Sequence, residues 1–555
     1  NDNFSAFSHE IGFRINGYES RRRPLKSIRL YSRSEYGQPN FNYKFFKNLK
    51  DDQFKTLILR NSGQDYFQTM LRDAAIQQMV KDLIPDIQEV MPAILFINGE
   101  YWGIHNLRER FDKDYLKRVY DIDAGNIDFI VNYNEVREGD TVHYNETKEY
   151  IKQHGLAEKE HYEYIQTRID VDNFRDYQII NIFADNHDWP GNNLEYWRMR
   201  TSQYNPNAPT GQDGRWRWFV KDLDFGFGLF GLEEALQHNM LQFATAAGGL
   251  EYPNPDWATF LLRKFLENEE FKISFINRFA DLLNTTFLPS VMQNKILEAE
   301  NKIDIEVSEH ITRWKNISSY QLWLEQMEVM YHFAEQRPAY QNQHIIDFFD
   351  LSGQYSLEVD VSNHWFGKVR INSIEITDDT PGINESAYPW SGNYYLGIPI
   401  EVEAIALPGY VFTHWSGDTT TTDPILNLLP AKNLYLKAHF KKNNAPTLVN
   451  YWFFDTSLPN NTPLEVIEAS YSLLNDATLT FHSSIDGYPF YAGHPKWRKA
   501  SMERRNEPTN INYRPEGNNN IPYNLSNTKG IQVRQPFIGD GGENIMNFQL
   551  PTTGI

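Results

Sequence analysis

Asn186-His-Asp-Trp-Pro-Gly-Asn-Asn193 and, further along, Lys221-Asp-Leu-Asp-Phe-Gly226 are the two stretches that decide how this chain is read. Asp188 and Asn193 stand in a D-x-x-x-x-N spacing, and Asp222 and Asp224 alternate at the end of a strand-like run. Residues two apart on a strand share a face. Two carboxylates held side by side repel unless a cation or a base compensates them. Phosphoryl transfer asks for this supply of groups: one carboxylate near the acceptor hydroxyl, and oxygen ligands that hold Mg²⁺ on the phosphates.

Alone, the first spacing is a weak signal. Asp121…Asn126 and Asp140…Asn145 repeat it, and Trp189-Pro190-Gly191 makes a turn in any protein. Weight comes from the combination. Asp224-Phe225-Gly226 follows the D-x-x-x-x-N loop after two strand-like runs, Leu194–Met199 and Trp216–Phe219, in the order that a kinase catalytic loop and metal-binding D-F-G require.

Upstream, the first third alternates strand and helix signals. Ile11–Ile15, Leu25–Tyr31 and Phe54–Arg60 read as strands, Tyr66–Leu83 as a helix, and Val90–Ile97 with Tyr101–Leu107 as a hairpin about Asn98-Gly99-Glu100. Lys26 shares a strand face with Ile28 and Leu30. It is read either as a lysine held beside nucleotide phosphates or as an edge-strand lysine whose stem snorkels. By the order of elements Asp73, on the helix, is a candidate partner for Lys26, and Glu109 falls where a hinge would meet the nucleotide. Helical signals continue through Phe111–Tyr120 and Val171–Asn186, then from Trp257 to Phe349.

After Leu351 the pattern turns to alternating β, clearest from Ile398 to Ala406, and Asn443–Pro446 reads as a linker. From Leu448 on, short strands such as Val449–Phe454, Ala477–Phe481 and Gly530–Val533 alternate with Asn/Pro/Gly-rich loops, as in a β-sandwich. A length of 555 residues suits about three or four domains. The net charge of −20 repels phosphate backbones and argues against a nucleic-acid partner. Cysteine is absent, so neither a disulfide framework nor a thiolate metal site exists. No run approaches the roughly 20 apolar residues of a spanning helix.

Several blocks in order resemble the CotH (spore coat protein H) kinase family. They are Arg14 through Gly37, Leu59-Arg-Asn-Ser-Gly-Gln-Asp65, Leu71-Arg-Asp-Ala74, Asn98-Gly-Glu-Tyr-Trp-Gly103, Leu107-Arg-Glu-Arg110, and the two acidic stretches. The resemblance implies a secreted or surface-associated atypical protein kinase fold without a Gly-rich loop, and the chain has no G-x-G-x-x-G. It implies Lys26 on ATP, Asp188 as catalytic base, and Asn193, Asp222 and Asp224 on Mg²⁺ or Mn²⁺, without deciding which aspartate is primary. Trp390–Ile400 and Gly409–Gly417 resemble internalin B-type repeats, small β-grasp-like spacers of surface proteins, and the C-terminal part is similar to sandwiches that accompany CotH domains in Bacteroidetes-type secreted proteins.

The expected architecture is therefore multidomain α+β. An atypical bilobal kinase-like domain at 1–350 divides near 108/109, a β-module follows at 354–442, and an incomplete β-sandwich occupies 447–555. The expected activity is transfer of the ATP γ-phosphate to hydroxyls of secreted or surface proteins. Two rivals stand beside it: a non-catalytic surface-binding or structural protein that keeps the fold, and transfer of a different group by the same pocket. The β-modules are candidate contacts for glycan or another cell-surface component. The chain opens on Asn-Asp-Asn and stops just after a strand-like run, so it also reads as part of a longer protein.

Overall fold

The computed structural model describes residues 7–249 and 252–443, and beyond them only strand segments at 482–483, 488–489, 501–505, 530–536 and 543–549. Most of the expected sandwich at 447–555, with its strands at 449–454 and 477–481, lies outside the described residues. The run expected from Gly530 is a strand over Gly530–Pro536, paired antiparallel with Ser501–Arg505 and Glu543–Gln549.

A five-stranded antiparallel sheet opens the fold, in the order Gly12–Ile15, Ile28–Tyr31, Thr56–Arg60, Glu100–Glu109, Val90–Ile97. Its last two strands are joined at Asn98 and Gly99, both at positive φ (53° and 80°). That backbone matches the twist of a tight hairpin and explains the Asn-Gly pair. One face of the sheet buries Ile28, Leu57, Leu59 and Leu107 with Phe41, Phe46 and Phe54.

The helix expected over Tyr66–Leu83 is shorter. A 3₁₀ turn at Gly63–Phe67 precedes a helix at Arg72–Met79, and Met70 between them sits at φ 65°. Asp65 is the cause: its carboxylate accepts from the Thr69 amide (3.0 Å) and hydroxyl (2.6 Å) and from the Arg72 amide (2.9 Å). This local network satisfies amides that an earlier helix start would have used, so the helix begins only at Arg72.

A second antiparallel sheet follows, ordered Arg217–Trp218, Glu195–Met199, Ile127–Val131, Glu135–Glu138. Two helices, Val142–His154 and Lys159–Gln166, occupy a stretch for which no element is expected from the sequence. The first buries only Tyr144, Thr147 and Ile151, a face too thin to stand out in a polar sequence. Val171–Ala184 is buried at every position but Asp172, and so forms the centre of the helical part. Within the helical stretch expected from Trp257 to Phe349, Pro289–Glu300 and Asp304–Trp314 are separate helices, and Tyr320–Phe349 closes the series.

Residues 354–443 fold as two four-stranded sheets. One is ordered Trp390–Tyr395, Gln354–Val361, Leu434–Lys442, Tyr410–Gly417, with a parallel central pair. The other is ordered Ile374–Ile376, Gly367–Ile371, Ile400–Ala406, Ile425–Leu428. The two sheets carry no helix among the described residues. Two compact units result: one runs to Ala406 and includes Phe412–Phe440, while Leu407–Val411 falls with the residues from Lys441 on. No helix among the described residues is long and apolar enough to cross a membrane.

Candidate active site

The central helix Val171–Ala184 ends at Asp185, which takes the left-handed conformation (φ 54°) that aspartate tolerates. The chain then turns through Asn186 and His187 to Asp188. The second acidic stretch docks on the same helix end: the Phe227 amide donates to the Ala184 carbonyl at 2.9 Å. A Cβ on Gly226 would stand 2.6 Å from that carbonyl oxygen, so only glycine allows the approach. The two loops therefore meet because both are fastened to one helix terminus.

Asp188, Asn193, Asp222 and Asp224 line one cleft of about 700 Å³. Asp188 accepts from Asn193 Nδ2 (2.6 Å), from Asn192 Nδ2 (3.1 Å) and from the Tyr252 hydroxyl. Burial raises its carboxyl above the usual aspartate range, the charge of Asp222 adds to this, and the three donors oppose it. Asn193 and Asp222 both adopt positive φ (59° and 57°), a conformation that Asn and Asp reach more easily than other residues.

Arg60, at the end of strand Thr56–Arg60, bridges the acidic pair. Its Nη2 donates to Asp222 Oδ1 and, at 3.0 Å, to Asp224 Oδ2. Asp224 Oδ2 also accepts from the Gln64 amide at 2.7 Å. Gly63 (φ 59°) must be glycine here, because a Cβ would lie 2.2 Å from Asp224 Oδ2. Asp224 keeps only 3% of its side chain exposed against 30% for Asp222. Burial and then the neighbouring charge of Asp222 push the Asp224 carboxyl well up. Burial acts the same way on Asp222, but the charges of Arg60 and Lys221 and the Arg60 hydrogen bond together hold that carboxyl low. One aspartate of the pair thus stays anionic beside a cation while the other is driven toward its neutral form.

Three residues expected at the site lie elsewhere. Lys26 precedes its strand, which begins at Ile28, and its ammonium donates to the Arg21 (2.7 Å) and Arg23 (2.6 Å) carbonyls. The loop's own carbonyls satisfy the charge, and Lys26 is not part of the cleft wall. Asp73 pairs with Arg108 rather than with Lys26. Burial would raise its carboxyl, but Arg108 and Arg60 hold it far below the usual range. Its Oδ1 accepts from the Leu223 amide at 2.7 Å, so Asp73 carries the turn between Asp222 and Asp224 from behind. Glu109 pairs with Arg118, and its Oε2 accepts from the Glu89 amide at 3.1 Å, also off the cleft wall. Burial raises its carboxyl to about 7.

The cleft also holds residues that the sequence reasoning passed over. Arg60 sits inside the quoted Leu59–Asp65 block and Lys221 opens the second acidic stretch, where Lys221 Nζ binds the buried Glu195 at 2.7 Å. Tyr252 had no signal, since its loop shares no motif with the residues it meets. The donor set of Asp222, Asp224 and Asn193 is carboxylate and amide oxygen, the chemistry of a hard cation such as Mg²⁺ or Mn²⁺. Arg60 already places a positive charge between the two carboxylates, and Asp224 is unsettled by its neighbour in a way that a divalent ion would relieve. The residues fit such an ion.

Residues 373–444 match the divergent InlB B-repeat domain. No curated protein matches the chain. Residues 13–341, well over half of the chain and the whole of the cleft described above, match the model described as CotH kinase protein, and the chain belongs to that family.

Proposed function

We propose that the chain is an extracytoplasmic, ATP-dependent phosphotransferase of bilobal kinase-like build that acts on hydroxyls of secreted or surface proteins. The observation that carries this reading is the convergence of Asp188 and Asn193 from one loop with Asp222 and Asp224 from another in one cleft. Asp188 would accept the acceptor's hydroxyl proton. Its raised carboxyl makes it a better base than an ordinary aspartate, provided that the pH keeps it ionised. Asp222, Asp224 and Asn193 would hold Mg²⁺ or Mn²⁺, which when bound neutralises charge on the phosphates. Arg60 and Arg29, both on the cleft wall, supply fixed positive charge where Lys26 does not reach.

The β-module at 354–442, which at 373–444 matches the divergent InlB B-repeat domain, supports placement at a cell surface. There it would space the enzyme or contact glycan or protein. Fractionation of the source cells tests the location, and recovery of the intact protein from the cytosol alone would refute it. Transfer of label from γ-labelled ATP with Mg²⁺ or Mn²⁺ tests the activity. Asp188→Asn should lower it about 10²–10⁴-fold, the usual contribution of a positioned base. A second reading, a non-catalytic surface-binding protein that keeps the fold, is favoured by the Arg60 bridge, which can serve as a permanent lock on the acidic pair. Absence of ATP binding by the wild type, with the fold intact, would decide for it.

A further inference from the structure

The loop that carries Asp188 begins with a carboxylate for which phosphoryl transfer has no use. Asp185 is 1% exposed. Its two oxygens meet two imidazoles: His187 Nε2 lies 2.7 Å from Oδ2, and His238 Nδ1 lies 2.7 Å from Oδ1. His238 comes from a separate segment, directly after the helix Leu232–Gln237. The ligand atoms of the three side chains all fall within 4.8 Å of one another. A metal bound about 2.0–2.2 Å from each ligand atom would need only small side-chain movements.

We propose that Asp185, His187 and His238 form a second cation site, selective for a borderline transition-metal ion of the zinc class. Its donors are two nitrogens and a carboxylate, against the all-oxygen set of Asp222, Asp224 and Asn193. Imidazole ligands favour zinc or cobalt over magnesium, so the two sites sort cations by ligand type. On binding, each imidazole gives up or moves to its other nitrogen the proton that it shares with Asp185. Both histidine side chains keep 26% exposure, which leaves an approach for the ion and room for water as a further ligand. Phe230 stands 5.6 Å from the His187 ring and Phe243 5.2 Å from His238, an apolar rim about the polar centre.

Two neighbours bear on the site from the helix Tyr320–Phe349. Arg337 works against a cation, but its guanidinium is already taken up by main-chain carbonyls, among them that of His238 at 3.2 Å. His344 is 8% exposed, its Nδ1 is buried without a hydrogen-bond partner, and it feels the charges of Asp185 and His238. It gives the site a nearby imidazole with an uncommitted nitrogen. Asn186, between two of the ligands, accepts from the Asp188 amide at 3.3 Å. An ion here would pin the segment that presents Asp188, whether or not that residue acts as a base.

The test uses the full chain, stripped with chelator and held in excess Mg²⁺ so that the oxygen site is occupied. Titration with Zn²⁺ by calorimetry should show saturable binding of one equivalent. Co²⁺ should give the visible spectrum of imidazole ligation on the wild type, a readout that needs no variant. His187→Ala and His238→Ala should each weaken zinc binding at least tenfold, Asp185→Asn should weaken it with the shape kept, and His364→Ala, an exposed histidine of the β-module, should leave it unchanged. Absence of saturable zinc binding by folded wild type, a Co²⁺ spectrum without nitrogen ligation, or full binding by a folded His187→Ala/His238→Ala double variant would each overturn the proposal.

Discussion

Asp188 and Tyr252 form the contact most exposed to experiment, because the tyrosine hydroxyl donates directly to the carboxylate proposed as the base. Burial raises the Asp188 carboxyl, and donation from Tyr252 lowers it. A base works only when ionised, so activity should fall as pH drops through this raised value, at higher pH than for an ordinary aspartate near 4. Tyr252→Phe removes one stabilising donor, and the acid limb of the kcat/KM profile should then move to higher pH. A limb that stays put or moves down would show that Tyr252 does not act on Asp188. Arg60 offers a second test that is independent of turnover. Arg60→Gln strips the cation from two neighbouring carboxylates, so Tm without metal should fall, and added Mg²⁺ should restore more of it than in the wild type. An equal response to Mg²⁺ in both proteins would separate Arg60 from the proposed cation site.

Among the elements, the short helix Arg72–Met79 is the part on which the acidic turn leans. Asp73 and Arg108 are 3% and 1% exposed, and Asp73 also holds the Leu223 amide. Asp73→Leu would leave Arg108 as an uncompensated buried charge, at a cost of about 3–5 kcal/mol in unfolding free energy. Chemical denaturation measures this, and a loss below about 1 kcal/mol would mean that Arg108 finds another partner. The sign with pH follows from the depressed carboxyl. Its contribution is complete above the unfolded aspartate value near 4 and is lost as pH falls toward the folded value.

This helix also marks where the sequence stopped being legible. Motif spacing located Asp188, Asn193, Asp222 and Asp224, because chemistry restricts which residue types stand together along the chain. Element order suggested a Lys26–Asp73 pair, but pairing depends on where a strand begins. The strand starts at Ile28, after Lys26, and Arg108, two strands away on Glu100–Glu109, pairs with Asp73 on the helix instead. The Asp65 network that delays the helix is a local side-chain-to-amide pattern, and the approach of Tyr252 to Asp188 is a contact between segments far apart in sequence. Periodicity carries no record of them.

For the molecule as a whole, the question is whether the β-module moves freely or is carried rigidly by the helical part. The described contacts favour the second. Asp281, fully buried on the helix Glu269–Leu283, accepts from the Ser373 amide (3.0 Å) and hydroxyl (2.5 Å), from Tyr394 Oη (3.0 Å) and from Asn372 Nδ2 (3.3 Å). On the same helix Arg278 donates to the Ser373 hydroxyl at 2.9 Å, and Asn277 Nδ2 to the Pro399 carbonyl at 2.7 Å. One carboxylate thus answers several donors of the module, and each donor left unpaired in a buried junction costs about 1–3 kcal/mol. Asp281→Ala should therefore open the junction while the opening sheet remains intact. In hydrogen exchange on the full chain, amides at 372–374 and 393–395 should lose protection by at least tenfold, with those of Thr56–Arg60 unchanged. Burial also raises the Asp281 carboxyl, so the folded chain binds its proton more tightly than the unfolded chain does. The junction should then be firmest in mild acid, and protection of the same amides should decline as pH rises from about 4 through the folded value. Unchanged protection in Asp281→Ala would show that the module is held by its apolar contacts alone, and a pH dependence surviving in that variant would place the titrating group elsewhere.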